Sequence, residues 1–80
     1  MEYWYTIYLF KEGYDPRIRM DGPVEEETAN ENAFSAHEKY PGLAYAMAFS
    51  SFSSDKKQVL REWAQAAKDG SKWFDGTHDN

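Results

Sequence analysis

Cysteine is absent from this chain of 80 residues. No disulfide framework and no thiolate zinc site can form, which favours a reducing, intracellular setting. Cations are also scarce: nine Lys and Arg stand against fourteen Asp and Glu, for a net charge of −5. Gripping a phosphate backbone takes clustered cations that displace counterions, so nucleic acid is not expected as a direct partner. No apolar run approaches the ~20 residues needed to cross a bilayer, so no membrane association is expected. The opening Met-Glu-Tyr-Trp has neither a basic n-region nor a long apolar h-region, and no signal peptide is expected. The five glycines stand apart at turns, which excludes a phosphate-cradling loop.

What the chain has in excess is aromatic side chains: three Trp, six Tyr and five Phe. Five of them fall within Tyr3–Phe10, mixed with Thr6, Ile7 and Leu9. Such residues fit a pleated strand. Alternation places Tyr3, Tyr5, Ile7 and Leu9 on one face and Trp4, Thr6, Tyr8 and Phe10 on the other, so both faces are apolar. Gly13, Asp15 and Pro16 then mark a turn, Arg17–Met20 alternates as a short edge strand, and Asp21-Gly-Pro23 is expected to stop it.

Val24 to Tyr40 reads as a helix, with Glu25, Glu26 and Glu27 at its dipole-favoured start and Pro41-Gly42 at its end. Ala29, Ala33, His37 and Tyr40 share the expected buried arc, with Phe34 at its margin and Glu27, Glu31 and Glu38 as a separate acidic stripe beside Phe34. Leu43–Phe49 alternates large residues with alanine and suits a central strand pressed by a helix, although its composition would also tolerate a helix. Ser53-Ser-Asp55 opens a second helix, either through a serine N-cap or through Asp55 paired with Gln58 in a capping box. Its apolar arc runs through Val59, Leu60, Trp63, Ala64, Ala66 and Ala67, and Lys57, Arg61 and Lys68 form a basic stripe opposite. Ser71–Asp75 reads as a last short strand. The expected fold is one α+β domain over residues 1–75 with a frayed tail at 76–80. It is a two-layer sandwich of β-β-α-β-α-β order, two helices on one face of a three- or four-stranded, mostly antiparallel sheet.

Catalytic groups are thin. His37 precedes Glu38, but the second histidine of a zinc-protease helix is missing, and a partly buried structural histidine is expected instead. Ser50, Ser51, Ser53 and Ser54 suit strand ends and caps, with no nucleophile elbow. Glu25–Glu27 lacks the alternating oxygen ligands of a calcium loop. No catalytic residue, metal site or cofactor is expected, and the chain reads as a non-enzymatic protein.

Binding is where the residues point. With both helices over the Tyr5/Ile7/Leu9 face, Trp4, Tyr8 and Phe10 are left uncovered, about 500 Å² of aromatic surface on the scale that marks an interface. The tail with Trp73 and Phe74 could fold over it, or a second copy could bury it in a homodimer. Base stacking fits the aromatics but not the charge. Separately, Met20 to Glu38 contains no Lys or Arg. Its carboxylates are a solvated face by default, pair with the basic stripe of the second helix, or meet a basic partner through Asp21, Glu25, Glu26, Glu27 and Glu31.

In size, charge and lack of catalytic groups, the profile resembles the small acidic inhibitors that phages encode, anti-CRISPR proteins and DNA mimics among them. The likeness is one of profile and attaches to no particular residue. It implies an inhibitor acting in the cytoplasm, the host's if phage-encoded, and covering a Lys/Arg-rich, nucleic-acid-handling surface of a partner protein. The alternative is a self-associating accessory or structural subunit that buries the aromatic face between two copies.

Overall fold

The computed structural model describes residues 1–68. Strand β1 (Tyr3–Phe10) is followed by β2 (Ile18–Val24), helix α1 (Glu26–Lys39), β3 (Leu43–Ser51) and helix α2 (Lys56–Lys68). The sheet order is β2-β1-β3, and both pairings are antiparallel. Strands β2 and β3 therefore run parallel to each other on either side of β1, and α1 carries the chain between them. The fold is the expected α+β type around a three-stranded antiparallel sheet. The fourth strand read at 71–75 and the tail at 76–80 lie outside the described residues.

The aromatic first strand takes the central position because both of its faces need cover. Leu43–Ser51 is a strand, as its large–small alternation indicates, although it forms an edge. Strand β2 is longer than its Arg17–Met20 pattern suggests. Asp21-Gly-Pro23 does not stop it; the pairing shifts register between Trp4 and Thr6, and the strand runs on to Val24. An edge position tolerates the proline. The register shift also depends on Gly22, whose φ is +128°. A Cβ there would stand 2.8 Å from the Trp4 carbonyl oxygen and 2.9 Å from the Tyr5 ring, so only glycine fits.

The helices do not share a face, contrary to the expectation of two helices on one side. Helix α1 lies on the Thr6/Tyr8/Phe10 side. There Tyr8, Phe10, Ala36 and Leu43 form a buried cluster with Tyr40 and Ala46 packed against it. The alanines on α1 and on β3 bring helix and sheet so close that the Thr6 hydroxyl donates to the Ala29 carbonyl at 2.9 Å. Helix α2 is tied to the other side. The Tyr5 hydroxyl donates to the Ser53 carbonyl at 2.6 Å, and the Ser51 hydroxyl, on the Tyr5 face, donates to Glu62 Oε1 at 2.6 Å. Tyr5 and Ile7 on that side are buried, as are Val59 and Trp63 one helical turn apart on α2. The physical reason is the opening strand itself: with two apolar faces in the centre of a small sheet, each face takes one helix.

Asp55 caps α2, accepting from the Lys57 backbone N–H at 3.1 Å. The capping box is not completed, because Gln58 turns its amide to Glu62 at 3.2 Å instead. Helix α1 starts from Glu25 with no side-chain cap, and its end is closed by the Tyr40 N–H donating to the Ala36 carbonyl. Its buried stripe centres on Ala29 and Ala36 rather than on His37, which is exposed.

Candidate interaction surface

The residues expected to form the binding surface separate into two groups. Tyr8 and Phe10 are 2% exposed and sit beneath α1; they belong to the core. Tyr40 meets both rings edge-on, with centroids 5.1 Å from Tyr8 and 5.8 Å from Phe10, and the Arg19 guanidinium lies 4.8 Å over Phe10. Trp4, on the same face, is half-buried. An open aromatic patch made of these three side chains is therefore not present: the face assigned to it is the one α1 covers.

Asp21 is exposed, but it accepts the Tyr8 hydroxyl at 2.9 Å. Burial, and then this bond to the Asp21 carboxylate, push the Tyr8 phenol well above its ordinary range. Asp21 thus has a structural task at the rim of the core. Glu25, Glu26, Glu27 and Glu31 are exposed, and with Glu38 they stand on or beside the outward side of α1.

That side is built by helical geometry. With Ala29 and Ala36 turned to the sheet, the opposite direction is occupied by Glu27, Glu31, Phe34 and Glu38, spaced i, i+4, i+7 and i+11. Phe34 is 92% exposed. Beside it a shallow hollow is lined by Asn30, Glu31, Phe34 and Ser35. Asn30 and Ser35 direct their side chains to the helix's own carbonyls, those of Glu26 and Glu31, at 3.1 Å each. They do not engage the carboxylates. Among the described residues, the side chains of Glu27, Glu31 and Glu38 have no hydrogen-bonded or ion-paired partner. The alternative in which they pair with Lys57, Arg61 and Lys68 does not arise, because α1 and α2 lie on opposite faces of the sheet.

Among the described residues, the outward side of α2 is basic. Lys57, Arg61 and Lys68 are exposed on α2, where Arg61 donates to Gln58 at 2.8 Å. Glu62, facing the sheet, is held below the ordinary carboxylate range by the Ser51 hydroxyl and then by the Gln58 amide.

The sequence pattern sets Phe34 at the margin of the buried arc, beside the acidic stripe; the structure places it within that stripe and fully outward. Seven residues separate it from Glu27, which leaves the two only about 20° apart around an ideal helix. That relation puts Phe34 in the acidic stripe, not beside the alanines. Among the described residues, no three acidic or histidine side chains converge as a metal-binding group. No protein-family model matches this chain, and neither a curated protein nor a solved structure matches it.

Proposed function

We propose that this is a non-enzymatic binding protein of inhibitor type, which lays the acidic side of α1 on a Lys/Arg-rich surface of a partner protein. Where that surface handles nucleic acid, the carboxylates compete with phosphates for the same cations, in the style of phage-encoded anti-CRISPR and DNA-mimic proteins. The observation that carries the reading is the exposed run Glu25, Glu26, Glu27, Glu31 and Glu38 in a segment, Met20 to Glu38, without a single Lys or Arg. Charge of one sign on one side steers encounter with a basic partner and makes association salt-dependent. Trp4, Tyr8 and Phe10 act indirectly: they fix the platform on which α1 rests.

The test uses a partner captured from the native host and purified, with an oligonucleotide bound to it as a reporter. The chain displaces the oligonucleotide, and raising the salt concentration weakens the displacement. The combined Glu26→Gln, Glu27→Gln and Glu31→Gln variant loses about tenfold or more in affinity and flattens the salt dependence. Unchanged affinity and salt slope in that variant would overturn the proposal. The self-association alternative, as framed on the Trp4/Tyr8/Phe10 face, loses its surface, since Tyr8 and Phe10 are enclosed by α1.

A further inference from the structure

We infer that Phe34 is the apolar anchor of this docking side, and that the partner surface it fits is a helix-binding groove. That groove has an apolar floor and rims of Lys or Arg. The inference rests on the acidic-docking reading and narrows it, because a partner that met only charge would have no use for the ring.

A single apolar side chain on a surface needs no explanation. Phe34 differs in where it stands. It is the only apolar residue of α1 larger than alanine, and it is turned away from the sheet that buries Ala29 and Ala36. Among the described residues it has no core role: it is 92% exposed, while Ala29 and Ala36 are buried and the Thr6 hydroxyl donates to the Ala29 carbonyl. Phenylalanine is also only a middling helix former.

Its neighbours complete the pattern. Glu31 lies one turn before Phe34, Glu38 one turn after, and Glu27 two turns before, all exposed. The hollow along Asn30, Glu31 and Ser35 leaves the ring free to be enclosed from that side. A helix seated in a groove normally places apolar anchors at i, i+3, i+4 and i+7; on this side of α1 Phe34 is the single anchor, and the positions at that spacing around it are carboxylates. An aromatic ring driven into a pocket supplies most of the affinity, and flanking charges choose the partner and its orientation. Here the flanking charges are all carboxylates, so the complementary groove is rimmed by cations. A flat nucleic-acid channel would satisfy the glutamates and leave the ring in water.

The inference is tested with the full chain, isotope-labelled for NMR, and two synthetic helical-hairpin peptides, each of which forms a groove between its two helices. One has a leucine floor rimmed by lysines; the other has the same lysines with serine in place of leucine. The expected result is that the leucine peptide perturbs amides centred on Phe34. Binding falls about tenfold or more for Phe34→Ala, and by a similar factor for the serine peptide. Thermal melting confirms that Phe34→Ala is folded. If both peptides bind α1 equally and Phe34→Ala changes nothing, the anchor is wrong while the electrostatic reading survives. If the combined Glu26→Gln, Glu27→Gln and Glu31→Gln variant binds as well as the parent chain, the electrostatic reading fails, and the basic rim fails with it. If sedimentation shows the chain to be self-associated and Phe34→Ala to be monomeric, the ring's occupant is a second copy, with the basic side of α2 as its seat, and the inference is overturned.

Discussion

The Thr6 hydroxyl on the central strand donates to the Ala29 carbonyl on α1, 2.9 Å away and fully buried. A strand side chain this short reaches a helix backbone only where no larger group separates the two layers. Ala29 and Ala36 provide that closeness from the helix, and Ala46 provides it from the neighbouring strand. Helix α1 is thus placed by small residues, and its outward side is placed with it.

Enlarging the contact should cost more than removing the bond. Ala29→Leu forces helix and sheet apart and destabilises by about 1–3 kcal/mol. Thr6→Val removes the hydroxyl but keeps the shape, at a cost of about 0.5–1.5 kcal/mol. Urea denaturation of both variants checks the order, and the reverse order would contradict the close-approach argument.

Aromatic residues of similar size should behave very differently. Phe10→Ala empties a core position and costs about 3–5 kcal/mol. Phe34→Ala, at 92% exposure, stays within about 0.5 kcal/mol of the parent chain. Thermal melts of the two variants separate the core aromatic from the surface one.

Gly22 should resist substitution. Gly22→Ala must adopt φ near +128° and meet the Trp4 carbonyl oxygen at 2.8 Å. A loss above about 1 kcal/mol is expected, with the register shift between β1 and β2 disturbed. Amide exchange along β1 and β2 reports it.

Stability should fall at both ends of the pH scale, for different groups. Glu62 is held below its ordinary value of 4.5 by Ser51 and Gln58, so its contribution is present above that value and lost as pH falls through the lower folded-state value. Glu62→Gln removes this part of the acid-side slope. Tyr5 and Tyr8 are pushed above 10.0, chiefly by burial, so their contribution is present below pH 10 and lost as pH rises past it. In ultraviolet titrations, the Tyr5→Phe and Tyr8→Phe variants should each lose a component that ionises in the parent chain only as it unfolds in alkali, and loss of a component near pH 10 in the folded chain would contradict the burial of these two.

Much of the fold was legible along the chain. Tyr3–Phe10 has strand chemistry whatever surrounds it, Pro41-Gly42 ends a helix wherever it falls, and the arc of Val59 and Trp63 has one apolar direction. The basic-free run from Met20 to Glu38 is likewise a property of the sequence, and so is the acidic segment it defines. None of this required knowing what packs on what.

Tertiary structure decided which face of the first strand received which helix. Alternation sorted Tyr5 and Ile7 from Tyr8 and Phe10, but both sets are apolar, and periodicity within a strand says nothing about the element that will cover it. The alanines of α1 and β3 resolved the choice: their close approach put Tyr8 and Phe10 beneath α1, and α2 closed on Tyr5 from the other side. The same packing fixed the rotation of α1 about its axis. A turn of a few tens of degrees moves His37 out of the buried stripe and places Phe34 among the glutamates, and only contact with the sheet sets that angle.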